Sequence, residues 1–317
     1  MAELTEDFYK QIEEQDREVE VALADYSGIL TSNLEDVGED VSKFEPYIPI
    51  VTSVFFGALT AIMLDRSEKV AKLSAEYDLP TTQSFITQTM GKSASIIFTQ
   101  DVANYPAQVK DRVLDRINPV DNRTLRQRMK WVKDGTTKTV QNIVANGVRD
   151  HKTNDQIAKA IESYIRPEAV KGYVSPWSVA KQRFNYTKGT VADIPKGSVS
   201  YQAHLIARTE ANYTLRQAQV DMYGEQDWCL GFDWKLSTRH KIYDICDLWA
   251  AGSPYTVEDL PYDHANGLCG QIRRLMNANE FNKWQETGKL PQVEYGNPKK
   301  IQKQYDLQGK QVPPGIS

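Results

Sequence analysis

A chain of 317 residues has room for one large domain or two ordinary ones and buries a core without staples. Its apolar fraction of 40% and net charge of −4 exclude a protein that is basic throughout in the manner of a general nucleic-acid coat. With a mean hydropathy of −0.53, they suit a helical protein with a large wetted surface or with faces that await partners. Three cysteines, Cys229, Cys246 and Cys269, are too few and odd in number for a disulfide framework, which leaves a reducing compartment or a metal.

The first forty residues are strongly acidic and lack the basic segment and apolar core of a secretory signal. Gln11–Leu23 is charged and periodic and predicts a helix. The uncharged run Tyr47–Leu64 has the length of a membrane span. Thr52, Ser53, Gly57 and Thr60 interrupt it, and its flanks, Glu45, Asp65 and Arg66, have no basic bias. It reads as a buried or interface helix, with membrane contact through 47–64 as the minor alternative.

Leu79-Pro80 ends that segment, and a second helical block is expected from about Thr81 to Ile165. Breaks are expected at Tyr105-Pro106, Asn118-Pro119 and Asp134-Gly135. The stretch holding Arg112, Arg116, Arg123, Arg126, Arg128, Lys130 and Lys133 is basic, as is the tail from Lys299. It offers a contact for DNA or an acidic neighbour, the plainer alternative being solvated helix faces. Val140, Ile143, Val144 and Val148 recur at helical spacing, Gly147 and the polar RDHK mark the end of their helix, and Thr153 with Gln156 forms a capping box for the next. Ile157, Ala160, Ile161, Tyr164 and Ile165 form the apolar stripe behind it.

Arg166–Ser198 has scattered Pro and Gly without a period and reads as a long loop. Helix resumes from Val199 to Gly224. Trp228, Leu230, Phe232, Trp234 and Leu236 then alternate with polar or small residues, a strict period of two that predicts a strand, and LCGQIRRLM supplies a partner. The tail from Lys289 has no period and reads as an extended arm.

Chemistry concentrates between the two strands. His240 with Cys246 and His264 with Cys269 make two pairs separated by a loop, the donor set of a tetrahedral zinc site. The alternative is that both cysteines are small buried groups and the histidines ordinary loop residues; a variation places Asp244 on the metal or behind a histidine. Four protein ligands imply a structural ion. A catalytic one needs an open position and a base such as Glu258 or Asp263, and no H-E-x-x-H or H-x-E…P-C-x-x-C pattern is present. Phosphate-binding glycine loops and a nucleophile elbow are also absent from the sequence, so no catalytic and no organic-cofactor residues are assigned. His151 and His204 are expected to face solvent. Arg208 and Glu210 point to different faces of one helix and are either surface charges or a buried clamp holding that helix to the strand layer.

In order, these pieces are TVQNIVANGVRDHKTNDQIAKAI, Ala207-Arg208-Thr209-Glu210, WCLGFDWKL, His240 to Asp247, and His264 to Cys269. Together they resemble the phage head morphogenesis domain of Mu protein F-like minor head proteins, over about Thr137–Met276. Members of that family often close with two cysteines around a basic residue, whereas here Cys269 is followed by Gly270-Gln271.

The resemblance implies a low-copy, oligomeric virion component at the portal vertex or head interior, made in the host cytoplasm, acting in head morphogenesis and DNA packaging. Its implied partners are the portal and the major capsid or scaffold proteins, with possible contact to genomic DNA. It also strengthens the expectation of a structural zinc on His240, Cys246, His264 and Cys269. The head-protein reading expects the apolar face of Val54, Phe55, Phe56 and Leu59 to be covered by a partner. A zinc-dependent hydrolase or nuclease is the competing reading.

The expected fold class is α+β: a long, mainly helical N-terminal region followed by a smaller mixed domain with a short antiparallel sheet. The expected divisions are an acidic helical region 1–80, a helical block 81–165, a loop 166–198, the mixed domain 199–280 and an arm 281–317.

Overall fold

Helix α1 (Ala2–Asp36) buries Ile12, Val19, Leu23, Tyr26, Leu30 and Leu34, a stripe at three- and four-residue intervals that forces one face inward. A short 3-10 turn, Val41–Lys43, reverses the chain into α2 (Tyr47–Glu76). The two run antiparallel: Tyr26 stacks on Phe55 and bonds Thr52, while Arg66, with no exposed side-chain surface, reaches Gln11, Glu14 and Glu18. The computed structural model describes residues 2–38, 40–118, 122–167, 197–237, 240, 243–262 and 269–307. It is an α+β protein, mainly helical, with two small antiparallel sheets among the described residues.

Of the apolar face expected to await a partner, Phe55, Phe56 and Leu59 are buried by the chain itself, and only Val54 stays open, at 64% exposure. Among the described residues, α2 alone is long and apolar enough to cross a membrane.

Contacts divide the chain into two units interleaved in sequence: Met1–Tyr9, Ser67–Val113 and Ala211–Ser317 in one, Lys10–Arg66 and Leu114–Glu210 in the other. In the second unit, the hairpin β1 (Ile117–Asn118) and β2 (Arg123–Thr124) leads into α5 (Leu125–Arg149), and α6 (Asn154–Ile165) follows. Thr153 and Gln156 cap α6 reciprocally, as expected. α5 and α6 approach at Gly147, where a Cβ would lie 2.5 Å from Ile157 Cγ1 and force that side chain to shift. The expected break at Gly135 does not occur. One glycine costs a helix about 1 kcal/mol, which the buried stripe of Val132, Thr136, Val140 and Val144 outweighs.

In the first unit, α3 (Leu79–Met90) and α4 (Lys92–Arg112) meet at Gly91, whose φ of 92° only glycine adopts readily. α4 runs through Pro106 without the expected break, held by buried Phe98, Val102, Tyr105 and Val109. Phe98, Tyr223 and Trp228 pack edge-on or tilted, and Phe85 joins Trp228 and Phe281. Helix α7 (Val199–Tyr223) contributes residues to both units. The loop expected at 166–198 lies mostly outside the described residues.

Strand β3 (Cys229–Lys235) pairs antiparallel with β4 (Gly270–Leu275), the partner expected from sequence. Trp228, Leu230, Phe232 and Trp234 are buried, in keeping with the period of two. A bulge falls between Cys229 and Phe232, and Gly231, at φ 109°, lets the Tyr255 carbonyl approach. β4 buries its polar alternates, Gln271 and Arg273. Arg273 lies over the Tyr223 ring at 4.1 Å and its two Nη nitrogens bond Gln219 Oε1, the Tyr77 carbonyl and Thr82 Oγ1, so protein groups take the place of water at the head of a buried cation. Short α8 (Ile245–Ala251) follows β3, and α9 (Ala278–Thr287) follows β4. The tail is not wholly extended: α10 (Pro298–Leu307) forms within it, with Ile301 against Gly252.

Candidate metal centre

The first turn of α8 organises the cluster. Asp244 is its N-cap and accepts from the Cys246 N–H at 2.7 Å, while Asp247 Oδ2 accepts from the Asp244 N–H at 2.8 Å. Both carboxylates thus satisfy orphan donors of the helix start. The same Asp247 oxygen lies 2.8 Å from His240 Nε2, and Asp244 Oδ1 lies 4.0 Å from it. On the far side of the ring, His240 Nδ1 faces the buried Cys269 Sγ at 3.7 Å, at the entrance to β4. His240, Asp244 and Asp247 form the donor group that lies within 4.8 Å of one another among the described residues.

The two sides of the imidazole differ in what they fit. Zinc with Zn–S of about 2.3 Å and Zn–N of about 2.0 Å sets an S···N edge of roughly 3.5 Å, and a tetrahedral N···O edge of roughly 3.3 Å. The 3.7 Å Sγ···Nδ1 separation matches a ligand edge. The 2.8 Å contact to Asp247 is too short for one and is a hydrogen bond. The geometry therefore suits an ion on the Nδ1 and Cys269 side, with Asp247 behind the ring fixing its tautomer and orientation. The bond with Cys269 foremost, then Asp247 and Asp244, hold the metal-free imidazole pKa up at about 9 against the opposing effect of burial.

Of the four residues expected to bind metal, the structure brings His240 and Cys269 together. Cys246 is buried at the second position of α8 and is not in the close donor group. His264 lies outside the described residues, as does Asp263. Glu258, the other base considered, is not buried. Asp247 is not singled out by sequence reasoning, although D-x-x-D ahead of an apolar run is a capping signal that points to it. No protein-family model, curated protein or solved structure matches this chain. Function therefore rests on what these side chains do.

A second polar cluster lies in the other unit. Arg208 and Glu210 are each 2% exposed and are not surface charges. Arg208 grips Asp16 of α1 through Nε and Nη2, and His204 Nδ1 meets the same carboxylate at 3.1 Å. Glu210 faces Arg128 of α5 at 2.6 Å and Arg116 at 3.7 Å. The clamp expected from sequence thus exists, but it binds α7 to helices rather than to the strand layer. His204, expected at the surface, is fully buried because Asp16 supplies its partner; His151 is exposed as expected.

Burial pushes the Asp16 carboxyl upward, and the Arg208 charge with the His204 bond more than reverses this, holding it below the usual carboxylate range. The basic stretch is correspondingly reduced as a surface. Arg116 and Arg128 are committed to Glu210, Arg126 pairs with Asp115 and Arg112 with Gln108, while Arg123 lies over the exposed Trp131 ring.

Proposed function

We propose that this chain is a minor head protein of a tailed bacteriophage, acting in head morphogenesis at the portal vertex or in the head interior. The observation that carries the reading is the commitment of the A-R-T-E charges. Arg208 and Glu210 are buried and ion-paired in opposite directions, so the residues at the centre of the resemblance hold the fold together and are not a run of surface charges. The other quoted pieces support it: the helix-loop-helix crosses at Gly147, and β3 and β4 flank the His240–Asp247 segment.

In this reading the partners are the portal and the major capsid or scaffold proteins, and the chain is oligomeric in the virion. Arg123, Lys130 and Lys133 beside Trp131 are the candidates for contact with genomic DNA, and membrane contact through 47–64 stays the minor alternative. Zinc is structural, held by His240 and Cys269, with Cys246 and His264 as the sequence's candidates for the remaining positions. When bound, the ion ties the segment between β3 and β4 to the sheet.

The test is to tag the chain in cells assembling the particle that encodes it and to fractionate procapsids and filled heads. Low-copy co-sedimentation with heads is expected; a chain found only in the soluble fraction overturns the proposal. The competing reading, a zinc-dependent hydrolase or nuclease, draws on the carboxylates beside His240. Chelator-sensitive cleavage of DNA by the purified chain favours it, and inert protein at full metal occupancy removes it.

A further inference from the structure

The α1–α2 hairpin has two apolar faces, and the chain covers one of them. On the other, Val21, Ile29, Ile50 and Val54 are 62, 44, 60 and 64% exposed. Between the helices on that side runs a groove of about 540 Å³, lined by Val21, Ala22 and Ile29 of α1 and by Val54, Ala58 and Ile62 of α2. An open apolar stripe on two neighbouring helices marks an interaction surface.

The charges on its rim identify what fits. All of them come from α1: Arg17, Glu18 and Asp25, whereas α2 lines the groove without a charge. Glu18 is taken by Arg66. Arg17 and Asp25 stand one helical turn before and after Val21, both exposed, and neither takes part in an ion pair or side-chain hydrogen bond among the described residues. Placing a two-fold axis through Val21, perpendicular to α1, brings Arg17 of each copy opposite Asp25 of the other. A base on one side of an apolar midpoint and an acid at the same distance on the other is what an isologous, antiparallel contact needs. A parallel contact sets like charges face to face. A bilayer strands Arg17 and Asp25 at its surface without partners.

We propose that this chain self-associates through the α1–α2 face as a two-fold dimer, with the Val21 side chains of the two copies meeting on the axis beside their grooves. Arg17–Ile29 spans about 20 Å of helix, and two helices are about 20 Å wide. The contact therefore covers on the order of 400 Å² per copy, about half of a standard interface. Such a dimer is weak in dilute solution and forms where the chain is concentrated. The inference is independent of the head-protein reading, and its failure leaves that reading untouched.

Sedimentation of the full chain over roughly 5–500 µM reads the equilibrium directly. Arg17→Glu and Asp25→Arg are each expected to weaken association on the order of tenfold, and the double reversal to restore it to within about threefold of wild type. Val21→Cys is expected to cross-link to itself under mild oxidation, as located by peptide mapping. A wild-type chain that stays monomeric throughout, or reversals whose losses add instead of cancelling, overturns the proposal. A monomer that floats with zwitterionic vesicles also overturns it and gives the face to a bilayer.

Discussion

Asp16 accepts from two residues of α7 that lie 188 and 192 positions further along the chain. Its carboxyl is held below the ordinary value, so the folded state binds this proton less readily than the unfolded state does. The resulting stabilisation is fully present above about pH 4 and is lost as pH falls from there through the native value. Asp16→Asn is expected to lower stability near pH 7 by about 3–5 kcal/mol, because Arg208 is left buried and uncompensated. It should also flatten the acid limb of a denaturant-midpoint profile taken from about pH 7 to pH 3; an unchanged acid limb excludes Asp16 as its source. Glu210 argues the same way from the opposite face. Glu210→Ala strands Arg128 and Arg116 at a similar cost, whereas Glu210→Gln keeps an acceptor and should lose distinctly less, as urea denaturation of the pair of variants reads out.

Helix packing turns on smaller features. At Gly147 the added methyl of alanine improves helix propensity by about 1 kcal/mol, yet it meets buried Ile157 at a distance no real Cβ tolerates. Gly147→Ala is therefore expected to destabilise by about 1–3 kcal/mol. Adding Ile157→Ala makes room, so thermal denaturation of the double variant should show less loss than the two single losses summed. Additive losses show that the crossing is not the cause.

In sequence that glycine reads only as a helix end. The second half of α5, α6 and β3 are legible there because Val140, Ile157 and Trp228 start strong local periods, and Thr153 with Gln156 marks the start of α6. Pro106 and Gly135 read as breaks because a local penalty is visible in sequence while the tertiary stripe that offsets it is not. α10 escapes notice because its ten residues are mostly Lys, Gln and other polar groups, and its anchoring contact, Ile301 on Gly252, is non-local. The site divides likewise. His240 and Cys269 are legible from rare residues concentrated in one stretch. Asp16 is not, since nothing in a charged N-terminal helix indicates that one of its many carboxylates is buried.

The whole molecule offers a way to ask whether the cluster holds metal without assuming any activity. Four of the described tryptophans, Trp228, Trp234, Trp249 and Trp284, belong to the unit that contains His240 and Cys269, and Trp131 belongs to the other. Trp249 of α8 packs edge-on against Trp234 of β3 at 5.2 Å, so disorder in the segment that carries His240 reaches the indoles directly. Helix, in contrast, is distributed over both units, and far-ultraviolet dichroism averages over them.

If zinc ties β4 to α8, chelation should lower the midpoint of the tryptophan-fluorescence transition more than that of the dichroism transition, because only one unit loses its ligand energy. Cys269→Ser should start at the lower fluorescence midpoint and ignore the chelator. Asp247→Asn, which leaves both proposed ligands in place and removes only the carboxylate behind the imidazole, should bind zinc about 10- to 100-fold more weakly. Equal shifts of both transitions in wild type place the effect of the chelator outside this cluster. No shift in either, with metal analysis finding none in the purified chain, leaves Asp247, His240 and Cys269 as a part-buried hydrogen-bonded triad whose work is to hold the start of α8 against β4.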